Sequence, residues 1–134
     1  MLEFPTVQQR GFRNVRDGKN ITGFQVAIRS KYYRGVWLSQ LRPATVTVDG
    51  HKYGGNQVTW TVAGKPYEQS ELAQRGDVHW SNRDAAILTV RKPGGLELGI
   101  HEVDVVFQHS ASYLPPRIDL QTQGNEPRKM VLVR

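Results

Sequence analysis

No cysteine occurs anywhere in the chain. That removes disulfide staples, thiolate nucleophiles and cysteine-ligated zinc from consideration. Small exported domains lean on disulfides, so the absence favours the cytosol. No apolar run is long enough to span a bilayer. The opening Met1-Leu2-Glu3-Phe4-Pro5 lacks the charged-then-apolar pattern of a signal segment. A cytoplasmic protein with no membrane partner is therefore expected. Missing too are a Gly-x-Ser-x-Gly elbow and a phosphate-binding loop, so no nucleophile motif is present.

Basic clusters are sparse, although the formal net charge is +6. No run of Lys or Arg exceeds two, and several bases sit beside acids, as in Arg16-Asp17 and Arg83-Asp84. Arg10, Arg13, Arg16 and Lys19 form the one dense basic region. A phosphate-binding strip needs more than this, so no nucleic-acid partner is expected.

What the chain does have is alternation. Of its 134 residues, 38% are hydrophobic and 22% charged, a globular balance for one domain over 1–134. Apolar residues recur at every second position in Phe24-Val26-Ile28, Val46-Val48, Val58-Trp60-Val62, Ala86-Leu88-Val90 and Val103-Val105-Phe107. Met130 to Val133 supplies a last strand. Period two with one apolar face marks antiparallel strands on a shared core. Asp49-Gly50 predicts a tight hairpin, Ala63-Gly64-Lys65-Pro66 the end of a strand, and Lys92-Pro93-Gly94-Gly95 a turn. The expected fold is an all-β antiparallel sandwich, jelly-roll or immunoglobulin-like, with little helix. Only Glu68–Arg75 reads as helical, with Ser70 as cap and Gly76 as stop. Residues 1–19 are polar and aperiodic, and read as an arm for docking a partner.

Chemistry-bearing groups are scattered. His101 and His109 fall on one strand face but roughly 26 Å apart along an extended chain, too far to share a metal. His51, His79, His101 and His109 each read as hydrogen-bonded structural residues, with His79 the most open to another role because Asp77-Val78-His79-Trp80 groups an acid, an imidazole and an indole. Glu102 and Asp104 share a face and read as exposed, solvating charges. No catalytic residue and no metal site are assigned.

Interface chemistry is richer. The segment from Ser30 to Pro43 interleaves Lys31, Tyr32, Tyr33, Arg34 and Trp37 with aliphatics. Tyr, Trp and Arg dominate interface hot spots. The rival reading buries Trp37 and Leu38 in a bent strand. Pro115-Pro116 stiffens a loop that presents Tyr113, Leu114 and Arg117. Phe12 and Arg13 read as partner-facing, with a core-plugging Phe12 as the alternative.

Several of these stretches together resemble a known family. Ile28-Arg29-Ser30-Lys31-Tyr32-Tyr33-Arg34-Gly35, Thr47-Val48-Asp49-Gly50, Asp77-Val78-His79-Trp80, Lys92-Pro93-Gly94-Gly95-Leu96 and Ser112-Tyr113-Leu114-Pro115-Pro116-Arg117 are similar to the small (β) subunit of bacterial C-glycoside deglycosidases. The resemblance implies a noncatalytic β-sandwich subunit that works with a large (α) TIM-barrel-like subunit, in a higher hetero-oligomer. That large subunit would carry a divalent metal, manganese, and the acid–base residues, and this chain no cofactor. The complex would cleave the carbon–carbon bond between a 3-oxo sugar and an aromatic, flavonoid-type aglycone. The oxo group acidifies the adjacent sugar C–H, so a base can take that proton and the aryl carbon can depart, while a metal stabilises the enolate. Tyr32, Tyr33, His79 and Trp80 are candidates for a wall of the substrate pocket, since an aromatic aglycone stacks on such rings. A free-standing carbohydrate-binding sandwich is the competing function, because that fold also stacks sugars on exposed rings.

Overall fold

The computed structural model describes residues 5–32, 34–110 and 120–133. Twelve strands appear among them: β1 (Val7–Asp17), β2 (Asn20–Ile28), β3 (Val36–Trp37), β4 (Thr45–Val48), β5 (His51–Tyr53), β6 (Val58–Val62), β7 (Lys65–Glu68), β8 (His79–Trp80), β9 (Ala86–Arg91), β10 (Gly99–Ser110), β11 (Leu120–Gln123) and β12 (Arg128–Leu132). All named pairings are antiparallel. One sheet runs β1-β2-β9-β6-β7 and the other β11-β10-β4-β5, with β12 also on β10. Their apolar faces meet in a sandwich, as the alternation predicts.

Aromatic rings fix the middle of the core. Trp60 of β6 lies edge-on to Trp80 of β8 at 5.7 Å and to Phe107 of β10 at 5.8 Å. Buried indole N–H groups need acceptors. Trp60 Nε1–H donates to Gln69 Oε1 at 2.9 Å, and Trp80 Nε1–H to the Asp84 carbonyl at 2.9 Å. Gln69 is itself buried and fully engaged, since its Oε1 also accepts the Ala44 N–H and its amide donates to the Ala44 and Gly55 carbonyls.

Four features depart from the expectations. Residues 7–17 are edge strand β1, not a free arm. A register shift between Gln8 and Arg13, around Gly11 at φ 94°, changes which parity faces inward. Val7 and Phe12 are therefore both buried although five apart, and the period-two signal is broken. The Ala63-Gly64 stretch ends β6 as expected, but as a tight hairpin turn (φ 52° and 82°) that leads into an additional edge strand, β7. Pro66 is tolerated there because an edge residue need not donate. The Gln69–Gln74 turn is a 3₁₀ helix capped from Glu68, whose N–H is accepted by the Glu71 carboxylate, so Ser70 is not the cap. Finally, β11 and β12 lie along one edge of β10, with residues 124–127 bulging between them. The Asp104 carboxylate accepts the Glu126 N–H at 3.0 Å and is covered, so it is not the exposed charge expected of it.

A histidine clamp closes one end of the second sheet. The Asp49-Gly50 turn (φ 50° and 84°) joins β4 to β5 as predicted. Asp49 accepts the Glu102 N–H through one oxygen and meets His101 Nδ1 at 2.6 Å through the other, while His101 Nε2 lies 2.6 Å from the Glu97 carbonyl. Both ring nitrogens face acceptors, so the imidazolium is the form that satisfies them. Burial opposes its charge, but the Glu97 carbonyl and the Asp49 carboxylate outweigh it and raise the His101 pKa above its ordinary 6.5. The His101 bond and the Glu102 N–H hold Asp49 below its ordinary 3.8.

Two outcomes follow from these turns. A raised histidine pKa gives stability that is complete below pH 6.5 and fades as pH climbs through the folded value. A lowered aspartate pKa gives stability that is complete above pH 3.8 and fades as pH falls through the folded value. Melting of wild type and His101→Gln across pH 4 to 9 should show a gap on the order of 1 kcal/mol or less near pH 5 to 6, closing on the alkaline side. A gap independent of pH would contradict the clamp. Separately, Ala63 occupies a left-handed turn position that favours Asn, so Ala63→Asn should add about 0.5 kcal/mol and raise Tm by about 3 °C. A lower Tm would count against this assignment.

Candidate functional site

At the far end of β10 from the clamp, a strap whose described residues are Ser30 to Tyr32 with Arg34 and Gly35 leads into a two-stranded ribbon of β3 and β8. The strap is pinned through Gln123. Its Oε1 accepts the Lys31 N–H at 2.7 Å, and its amide donates to Ser30 Oγ and to His109 Nε2, each at 3.0 Å. His109 Nε2 is thus an acceptor, which leaves the proton on Nδ1, facing the Ser110 carbonyl at 3.3 Å. Ser30 Oγ also accepts the Tyr32 N–H, and Lys31 pairs with Glu126. The Tyr32 ring leans on His109 at 5.1 Å.

The ribbon sorts its four residues by strand alternation. Val36 pairs with Trp80 and Trp37 with His79. Val36 and Trp80 point inward and are buried, whereas Trp37 is 40% exposed and His79 is exposed. The two outward rings meet edge to face at 4.9 Å. Gly35 at φ 70° makes the approach possible, since a Cβ there would sit 2.7 Å from the Trp80 carbonyl oxygen and 2.9 Å from His79 Cε1. The Trp37 N–H donates to Gln40 Oε1, and the Gln40 amide donates to the Ser110 carbonyl. The ribbon is therefore an anchored platform with one amphipathic rung outside.

The sequence-predicted residues fare differently. Trp37, His79 and Arg34 are exposed at this end, and Lys31 and Tyr32 are half-buried beside them. Arg13 is exposed on β1, opposite Gln25. Trp80 cannot wall a pocket: it is wholly buried between Trp60 and Phe107, because a strand sends neighbours His79 and Trp80 to opposite faces. Phe12 is not partner-facing either; it is a core residue, edge-on to His101 at 6.2 Å. Leu38 is buried, so the core reading holds for it and fails for Trp37. Tyr33, Tyr113, Leu114 and Arg117 lie outside the described residues.

Other surfaces offer less chemistry. A trough of about 450 Å³ on the outer face of the second sheet is lined by Thr45, Thr47, Lys52, Glu102 and Asp104 among others, with no aromatic ring. Among the described residues no three His, Asp or Glu side chains are grouped to hold a metal ion, and no helix is long and apolar enough to cross a membrane. One surface went unrecognised in the sequence. Ile100 of β10 and Val131 of β12 are paired and exposed, with exposed Leu98 and Val133 two residues beyond. The signal was there: Met130 to Val133 is apolar at consecutive positions, hence apolar on both faces.

The sandwich displays an exposed aromatic rung at its ribbon end. Comparison with known proteins places it more closely. The family model for the C-glycoside deglycosidase beta subunit matches residues 2–113. The C-glycoside deglycosidase beta subunit of Eubacterium cellulosolvens is 43% identical over 135 residues, covering 98% of this chain and 88% of that protein. The 3'-dehydrocarminate deglycosidase beta subunit of a Microbacterium species is 34% identical over 95 residues, 70% of each chain. The chain belongs to the C-glycoside deglycosidase beta subunit family.

The two tryptophans of the ribbon should part in their effects. Trp80→Ala should cost about 3–5 kcal/mol of folding free energy, the range for truncating a buried large aromatic. Trp37→Ala should cost under about 1 kcal/mol, as a half-exposed surface change. Urea unfolding of both variants checks this, and equal losses would contradict the division of the ribbon.

Proposed function

We propose that this chain is the noncatalytic small subunit of a cytoplasmic C-glycoside deglycosidase, a carbon–carbon lyase, and that the Trp37–His79 rung docks a large TIM-barrel-like subunit bearing the chemistry. The observation carrying the reading is the rung itself. A half-exposed indole held rigidly by a ribbon whose other half is locked into the core matches the pre-organised aromatic anchor of a hot spot. Arg34, Lys31 and Tyr32 supply a polar rim. Membership of the beta subunit family supports the same reading.

The substrate class is a sugar oxidised at C3 and joined through carbon to an aromatic aglycone. A ketone at C3 acidifies the C2–H. Loss of that proton to a base gives an enolate, and collapse of the enolate breaks the bond from C1 to the aryl carbon, which takes the electron pair and a proton from an acid. The described residues of this chain do not fit the divalent metal expected of the complex, since no ligand cluster is present. The reading therefore places metal, base and acid in the large subunit. Among the described residues, exposed Trp37 and His79 with half-buried Tyr32 are the rings available to line an aglycone pocket, now that Trp80 is inside.

Co-expression with the large subunit tests the assignment. The two chains should copurify at fixed stoichiometry, with deglycosidase activity on a 3-oxo C-glycoside only in the mixture. Trp37→Ala should cost about 2 kcal/mol of assembly, roughly 30-fold in Kd, while the isolated domain stays folded. Activity of the small subunit alone, or undiminished assembly of the variant, would overturn the reading.

A further inference from the structure

The Ile100–Val131 patch belongs to a different surface from the ribbon. His109, which touches the strap, lies nine residues along β10 from Ile100, about 30 Å of extended strand. A contact confined to the Trp37–His79 rung would not reach it. Nor does the fold account for it, because the alternate residues Met130 and Leu132 already supply the core contact of β12.

The patch has an unusual arrangement of neighbours. On the outer face, Ile100 of β10 stands directly opposite Val131 of β12. One step along, Glu102 of β10 stands opposite Lys129 of β12, and both are exposed. Rows of the same two strands thus carry first an aliphatic pair and then a pair of opposite charges. Ile100 is 71% exposed, Val131 48%, Leu98 55% and Val133 62%. Four aliphatic side chains at such exposures make a patch of a few hundred Å², the size that marks interaction sites on monomers.

We infer that this face is the interface of a two-fold homodimer, packed sheet on sheet. Consider a dyad lying between two facing copies and running along the seam of β10 and β12. It lays β10 of each copy over β12 of the other. Ile100 then meets the second copy's Val131, and Glu102 meets the second copy's Lys129. Both contacts occur twice, as an isologous interface requires. The charge complementarity is what selects a second copy as the occupant: one chain supplies both halves of each apolar contact and both halves of each ion pair. Aligned packing of antiparallel sheets about 10 Å apart is the geometry such faces adopt. An apolar centre of this size with its charged rim falls below the roughly 1,200 Å² of stable interfaces, so a weak dimer, associating at tens of micromolar, is expected. The inference is independent of the proposed large subunit.

Sedimentation of the full-length chain at tens of micromolar should give twice the 15.2 kDa chain mass. A single-chain mass throughout would overturn the proposal. Ile100→Lys should return the mass to one chain, with the circular dichroism spectrum and Tm unchanged. Charge reversal separates this packing from any other. Glu102→Lys and Lys129→Glu each place like charges across the dyad, so each variant alone should be monomeric, whereas an equimolar mixture should regain the doubled mass. Pairing within one chain cannot be rescued by mixing, so a monomeric mixture would sink the proposed packing. If Ile100→Lys instead releases a co-expressed large subunit and leaves the chain's own mass unaltered, the patch belongs to that subunit and the homodimer is wrong. Trp37→Ala should do the reverse, weakening the large subunit and sparing the doubled mass, so the two surfaces fail separately.

Discussion

An indole N–H buried in hydrocarbon must find an acceptor or cost about 1–3 kcal/mol, and two such groups organise this sandwich. Trp60 reaches Gln69 and Trp80 reaches the Asp84 carbonyl. Those bonds hold the Trp60–Trp80–Phe107 cluster in one arrangement, with rings 5.7 to 5.8 Å apart. Everything displayed at the ribbon end follows from it. Trp80 is the inner half of the ribbon, so its fixation decides where Trp37 and His79 stand outside. Gln69 ties the same cluster to Ala44, which leads into β4, and to Gly55, in the turn between β5 and β6.

Much of the fold was legible because the core obeys a simple rule. Phe24-Val26-Ile28, Val58-Trp60-Val62 and Val103-Val105-Phe107 each place apolar residues at every second position, and each of these is buried, although Ala27 and Val106 add apolar residues on the other parity. Where the rule breaks, the reading failed for identifiable reasons. The Gly11 bulge inverts the parity of β1, so Val7 and Phe12 do not fall on one face of a regular strand and the period-two signal is lost there. Ala63 at positive φ gave no turn signal of the Asn-Gly kind, which hid the hairpin to β7.

The site was legible in composition and less so in geometry. Tyr32, Arg34 and Trp37 stand out as interface residues by type, and they do cluster at one end. His79 and Trp80 are neighbours in sequence, yet the two-residue strand β8 sends them to opposite faces. Pairing decides this, and pairing between β3 and β8 joins residues more than forty apart. The Ile100–Val131 patch is the converse case. It is formed by register across β10 and β12, and neither strand alone announces it.

Gly35 has a further consequence for how such a subunit can behave. Its missing side chain lets the strap backbone rest on the Trp80 carbonyl and the His79 ring, with no room for even a methyl group. Strap and ribbon therefore form one solid corner. A corner of this kind can be fitted against, and it loses little freedom when covered, which favours tight complexes for modest area. A partner subunit therefore meets a contour already set by backbone contact, a mould rather than a hinge.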